Sequence, residues 1–347
     1  MDLLRTVFMM ILAAPLLSCQ AQTVIDDAVT PAPASSANIS GDFANHPEAL
    51  AFLQHMQAQH GMAAPEVAAI LSQARHQPRI VALMDRAAPR PEERPTGAWT
   101  RYRAKFVTPA NISRGAEFWR ENAAALNRAE QRYGVPAEYI VAILGVETRW
   151  GGYLGSHRVI DALATLAFDY PRRAEFFTSE LENYLLMARE EGFNPMVPLG
   201  SYAGAMGLGQ FMPSSFRNYA VDFDGDGQRD LWNVTDAIGS VANYFATFGW
   251  QPGQPVIIRA SAAQPLAMSV DTGFNSDYTP AQLRALGLSW THPDPLPQRM
   301  RLIRLDIGTG YEYWLGFENF YVITRYNHSS HYAMAVHQLA QAIRASR

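Results

Sequence analysis

Gly134-Val135-Pro136-Ala137-Glu138-Tyr139-Ile140-Val141-Ala142-Ile143-Leu144-Gly145-Val146-Glu147-Thr148-Arg149-Trp150-Gly151-Gly152 is the stretch from which the fold is read. Pro136 suits the first turn of a helix, and Glu138 complements its positive end. Gly151 and Gly152 stop it. The run Ile140-Val141-Ala142-Ile143-Leu144 is apolar on nearly all sides, so the segment reads as a buried helix. Glu147 then falls near the last turn. There the helix dipole and apolar surroundings both disfavour a carboxylate. The expectation is a glutamic acid protonated near neutral pH, with Trp150 close by, as a general acid requires. The competing reading is a surface glutamate paired with Arg149 or Arg158.

Outward from this helix, the chain has 347 residues, of which 48% are hydrophobic and 17% charged. That composition supports a sizeable core and rules out a wholly disordered chain. The length suggests two or three domains. The net charge of −4 supplies no overall basic field for nucleic acid. The single cysteine, Cys19, excludes an internal disulfide framework and any multi-cysteine metal site.

Residues 1–18 read as a signal peptide: Arg5, then a largely apolar run from Val7 to Leu17 that is too short to span a bilayer. Leu16-Leu17-Ser18-Cys19 resembles a bacterial lipobox, which makes Cys19 the lipidated first residue of the mature chain. Gln20, not Asp, follows it, which favours the outer membrane. An ordinary signal peptide that contains a cysteine is the alternative. Residues 19–45, rich in Ala, Pro, Ser and Thr, read as a flexible tether.

Residues 46–130 show helical spacing and read as an N-terminal helical domain, including one helix from Phe118 to Tyr133. Residues 131–250 are mostly helical, broken by glycine-rich loops. Residues 251–307 contain short β-like runs, Val256–Ile258, Ala267–Val270 and Arg301–Leu305, and read as a small β insertion. Helical periodicity returns in 308–347, at Tyr332–Ile343. The expected class is mainly α.

Gly200-Ser201-Tyr202-Ala203-Gly204-Ala205-Met206-Gly207-Leu208-Gly209-Gln210-Phe211-Met212-Pro213-Ser214-Ser215 lacks the order of a dinucleotide or phosphate loop. Its glycines would let backbone approach a substrate, and Gln210 can both donate and accept. Tight packing of small residues is the alternative. Asp222-Phe223-Asp224-Gly225-Asp226-Gly227-Gln228 has calcium-loop spacing, with Asn233 where a bidentate glutamate would stand. A solvated acidic turn is the alternative there.

Gly145–Gly151, the glycine-rich block Gly200–Ser215 and Phe320-Tyr321-Val322-Ile323-Thr324-Arg325-Tyr326-Asn327-His328-Ser329 together resemble the membrane-bound lytic murein transglycosylase B family. The resemblance runs from about Phe52 to the C-terminus. It implies a lysozyme-like catalytic core, an N-terminal helical domain and a small β domain. It implies cleavage, without water, of the β-1,4 bond between N-acetylmuramic acid and N-acetylglucosamine in peptidoglycan glycan strands. Glu147 falls on the catalytic acid/base position. Ser201, Gln210, Tyr244, Tyr326, Asn327 and Tyr332 fall on substrate-binding positions, and Tyr102, Arg172 and Arg173 resemble positions lining the groove. The acidic loop would bind a structural Ca2+ through Asp222, Asp224, Asp226, the Gln228 carbonyl and Asp236. No catalytic cofactor is implied. The enzyme would be a monomer anchored to the membrane by lipid in the bacterial periplasm, with cell-wall synthases as candidate partners. An inactive peptidoglycan-binding scaffold and a hydrolytic muramidase are the other readings.

Overall fold

The computed structural model describes residues 38–86, 96–292 and 296–347. The signal peptide, Cys19 and most of the tether lie outside the described residues. Three helices come first: α1 (Pro47–His60), α2 (Ala64–Gln73) and α3 (Pro78–Arg86). Then follow α4 (Ala98–Arg103), α5 (Pro109–Glu121), α6 (Ala123–Tyr133) and α7 (Ala137–Thr148). Strand β1 (His157–Arg158) leads into α8 (Val159–Asp169) and α9 (Ala174–Glu191) and pairs with β2 (Leu199–Gly200). Next come α10 (Pro213–Tyr219) and α11 (Val234–Thr247). The sheet region holds β3 (Ile257–Ala262), α12 (Pro280–Ala285), β4 (Leu288–Ser289), β5 (Arg301–Asp306) and β6 (Tyr311–Gly316). Helices α13 (Glu318–Tyr326) and α14 (Ser330–Ala345) close the chain.

Local chemistry sets the helix ends. Prolines stand in the first turn of α1, α5 and α10, where a missing N–H costs nothing. Gly61, Gly134 and Gly192 take the left-handed conformation after α1, α6 and α9. Helix α7 is buried along almost its whole length, as its sequence predicts. It packs against α14, α5, α6 and α11.

One hydrophobic core runs from Ile39 to Ile343. It corrects three of the expected boundaries. Ile39 and Phe43 are buried, so the folded body begins inside the stretch read as tether. Helix α4 packs on α14, and α5 on α14 and α7, so residues 46–130 do not form a separate helical domain; α1 packs on α2, α3 packs on α8, and Phe52 of α1 meets Phe168 of α8. The single helix expected over 118–133 is two, broken at Asn122, whose side-chain amide donates to the Phe118 carbonyl at 2.9 Å.

The four-stranded antiparallel sheet has the order β4-β3-β6-β5. It extends past 307, because β6 is a central strand pairing Leu315 with Leu302 and Tyr313 with Arg304. Ala267–Val270 forms no strand. Both faces of the sheet are covered. Leu302, Tyr313 and Leu315 join Leu283 and Leu288 in a small local core, while Ile303 and Leu305 point into the main one. This two-sided burial explains why Arg301–Leu305 lacks strict polar alternation.

Candidate active site

Glu147 is the next-to-last residue of α7, and the chain beyond it turns sharply. Arg149, Trp150 and Gly151 all have positive φ, at 53°, 56° and 85°. Left-handed conformations are costly for Arg and Trp, so the surroundings must hold them there. The Arg149 and Trp150 amides donate to the Gly145 and Leu144 carbonyls at 3.0 and 3.1 Å. The Trp150 indole N–H donates to the Val141 carbonyl at 2.9 Å, and its ring lies on Gly145. A Cβ at Gly145 would stand 2.4 Å from that ring, so only glycine fits. Thr148 ties the helix end to the glycine-rich loop by donating to the Leu208 carbonyl at 2.9 Å.

Because Trp150 covers Gly145, two residues and about 200° around the helix from Glu147, it lies on the other side of α7. The tryptophan does not line the carboxyl's pocket, as its nearness in sequence suggested. Tyrosines do. The Tyr332 hydroxyl, from the first turn of α14, donates to Glu147 Oε1 at 2.5 Å. The Tyr326 ring stacks on that of Tyr332, and Tyr244 packs against Tyr326 with ring centres 4.9 Å apart. Tyr326 donates to the Gly209 carbonyl at 2.5 Å and Tyr244 to the Arg325 carbonyl at 2.6 Å, so both hydroxyls brace backbone around the site. Tyr102 packs against Phe106 and His331.

Burial pushes the Glu147 carboxyl up to about 7, although the hydrogen bond from Tyr332 pulls it down. The same burial, and then the charge of Glu147, raises Tyr102 to about 12 and holds Tyr326 and Tyr332 well above the ordinary tyrosine range. These tyrosines are therefore neutral hydrogen-bond donors. Glu147 opens into a cavity of about 530 Å³ that Phe106, Asn111, Arg149 and Tyr153 also line. Among the described residues that line it, Glu147 is the only carboxylic acid. The pairing with Arg149 or Arg158 does not form: Arg158 instead binds Asp161 at 2.8 Å.

The glycine-rich loop lies beside this cleft. Ser201 Oγ accepts from the Ala203 and Ala205 amides at 3.2 and 3.0 Å, leaving its own proton to donate. Gln210 is held at φ 51° and donates to the Gly207 carbonyl at 3.0 Å. Gly204 and Gly207 instead answer to packing. A Cβ on either would come within 2.4 Å of Leu163 or Leu231. Asn327 is exposed at the end of α13. Arg172 and Arg173 are not brought to Glu147. Arg172 pairs with Asp85 at 3.3 Å, and Arg173 lies over the Phe176 and Phe177 rings. Phe106, Asn111 and Tyr153 escaped the sequence reading; exposed Tyr153, next to the Gly151-Gly152 stop, was the one available signal. A larger cavity of about 670 Å³, between Phe193, Phe216 and Trp232, does not contain Glu147.

In the acidic loop the carboxylates of Asp222, Asp224 and Asp226 converge, with one oxygen of each within 4.8 Å of the others. Gly225 and Gly227, at φ 86° and 93°, make the sharp turn. Asp222 accepts from the Gly225 and Gly227 amides, and Asn233 donates to Asp224 at 2.6 Å. Gln228 stays in the loop through its amide, which donates to Asp226 at 2.9 Å. Hard oxygen donors round a tight turn suit Ca2+. Asp236 stands apart. It is buried, and its carboxylate accepts from the Phe223, Asp224 and Asp230 amides at 2.7, 3.2 and 2.9 Å. It shapes the loop from beneath and is not part of the converging carboxylate group.

A family model described as the transglycosylase SLT domain matches residues 44–341. The chain is 53% identical over 313 residues to membrane-bound lytic murein transglycosylase B of Escherichia coli (strain K12), covering 89% of this chain and 86% of that protein. Escherichia coli lytic transglycosylase Slt35 in complex with calcium superposes with a TM-score of 0.84 at 52% identity, over 90% of this chain and 97% of that one. SltB3 from Pseudomonas aeruginosa in complex with NAG-anhNAM-pentapeptide does so with a TM-score of 0.72 at 31% identity, over 85% and 78%.

Proposed function

This chain belongs to the transglycosylase SLT-domain family, and from that premise we propose that it is a lytic murein transglycosylase in which Glu147 is the sole acid and base. One observation carries the reading. A single half-buried carboxyl, raised to about 7 by desolvation and hydrogen-bonded to Tyr332, faces a cavity with no second carboxylate among the described residues that line it. Ordinary glycosidases need two.

With one acid, the substrate must supply both nucleophiles. Glu147 gives its proton to the glycosidic oxygen, and the N-acetylglucosamine leaves with it. The N-acetyl oxygen of the muramyl sugar assists at C1 from within the ring. Glu147, now a carboxylate, takes the proton from the C6 hydroxyl as that oxygen attacks C1. The products are a 1,6-anhydromuramyl end and a free reducing-side strand, and Glu147 is protonated again. Tyr332 fixes the carboxyl, Tyr102 and Tyr326 keep its surroundings neutral, and Ser201, Gln210 and Asn327 hold the sugars. The Ser201 hydroxyl or the Asn327 carbonyl steadies the N-acetyl group.

Around this site, Asp222, Asp224 and Asp226 hold a structural Ca2+, which takes no part in the reaction. The mature chain is a periplasmic monomer attached by a lipid on Cys19, most consistently to the outer membrane, with cell-wall synthases as protein partners. A relative whose name is membrane-bound supports this reading. Among the described residues, no helix is long and apolar enough to cross a membrane.

Mass spectrometry of products from purified sacculi tests the reaction. Anhydro ends are expected; ends heavier by one water would make the protein a hydrolytic muramidase. No release at all would make it a binding scaffold. Calcium is expected to raise the melting temperature of the wild type and not of Asp224→Asn. Labelled fatty acid is expected on the wild type and absent from Cys19→Ala.

A further inference from the structure

We propose that His55, His60 and Glu182 form a binding site for a divalent transition-metal ion of the Zn2+ class, clipping α1 to α9. The two histidines lie in the C-terminal half of α1, and Glu182 projects from α9, at least 122 residues further along the chain. Both imidazoles turn Nε2 to the same carboxylate. His60 meets Oε1 at 2.6 Å and His55 meets Oε2 at 3.1 Å. One donor atom from each of the three lies within 4.8 Å of the others. Ligands bound at about 2.0–2.2 Å around one Zn2+ stand roughly 3.3 Å apart, so small side-chain shifts admit the ion.

The donor set selects the metal. Two imidazoles with one carboxylate suit Zn2+, Ni2+ or Cu2+, whereas Ca2+ and Mg2+ prefer oxygen alone. The acidic loop and this cluster would therefore sort different ions. The backbone is set for the task. Gly61, at φ 60°, ends α1 directly after His60, and Arg189 donates to the His60 carbonyl at 3.1 Å. The His55 side chain is 45% exposed, which leaves a route for the ion and room for water to complete its shell. None of the three residues lines the Glu147 cavity. On binding, each imidazole coordinates through an unprotonated Nε2, and any proton held there leaves to solvent.

The full chain, first saturated with Ca2+ so that the acidic loop is filled, is titrated with Zn2+ by calorimetry and with Co2+ by visible absorption. One equivalent of Zn2+ is expected to bind and raise the melting temperature. Co2+ is expected to give visible bands that Zn2+ bleaches. His60→Asn and Glu182→Gln keep a hydrogen-bonding group, and their folding is checked by circular dichroism. Each is expected to weaken Zn2+ binding by about tenfold or more, while Asp224→Asn leaves it unchanged. Equal Zn2+ affinity in wild type and in the His55→Asn/His60→Asn double variant overturns the proposal. So does the absence of Zn2+ binding to the wild type, or a loss confined to Asp224→Asn.

Discussion

Helix α7 carries a glutamate at each end, and the two have opposite surroundings. Glu138, in the first turn, is buried, and its charge is met by the Arg344 guanidinium at 2.9 Å. Glu147, in the last turn, has a tyrosine hydroxyl for a partner, and burial pushes its carboxyl up to about 7. The residue type and the helix are the same. The difference is whether a cation is supplied. A buried glutamate with an arginine holds two helices together, whereas one without can keep a proton to give away.

The comparison breaks first at Glu147. Glu147→Gln is expected to lower anhydro-product release from sacculi by roughly 10³-fold or more, because one carboxyl serves both proton transfers. A variant within about tenfold of wild type would refute the assignment. Tyr332→Phe removes the hydrogen bond that lowers the carboxyl. It is expected to cost roughly tenfold in turnover and to move the alkaline limb of the pH–rate profile to higher pH.

Stability against pH sharpens the contrast. In the unfolded chain Glu147 ionises at its ordinary 4.5, and in the folded one at about 7. The folded state therefore binds more protons between those values, so stability falls as pH rises across that window and levels off above it. Glu147→Gln should remove this fall, leaving the variant about 3 kcal/mol more stable relative to wild type well above pH 7 than below pH 4.5. Chemical denaturation at both ends of the window measures it. Glu138→Gln should act on stability and leave catalysis nearly intact. Activity should stay within about threefold of wild type while stability drops by about 1 kcal/mol, water already screening the exposed Arg344 side. The smallest effect is expected from Arg172→Ala. With its guanidinium on Asp85, its loss should change kcat/KM less than about twofold.

Much of this was legible beforehand because it is local. The all-round apolar run Ile140–Leu144 announces a buried helix, and the Gly151-Gly152 stop puts Glu147 at its end. The tyrosines at 102, 326 and 332 do gather round it. What sequence spacing hid was long-range packing. Trp150 is three residues from Glu147 yet packs on Gly145, on another face of α7. Strand β6 escaped because both faces of its sheet are covered, which erases the alternation that marks a half-exposed strand. Asp236 reads as a ligand by position; in the fold it lies beneath the loop, accepts from three backbone amides and stands outside the group formed by Asp222, Asp224 and Asp226. The helical domain expected over 46–130 dissolved for a similar reason. Helix α4 buries its apolar face on α14, and α5 on α7 and α14, elements that enter the chain later.

The hydrogen bond between Tyr332 and Glu147 spans 185 residues of sequence. A ribosome makes α7 long before α14, so the acid exists well before its partner does. Contacts this distant form late, after the intervening loops have closed. The helix that completes the site follows α7 by more than 180 residues. A chain cut short before Tyr332 contains the acid and most of the groove, but not the hydroxyl that aims the proton.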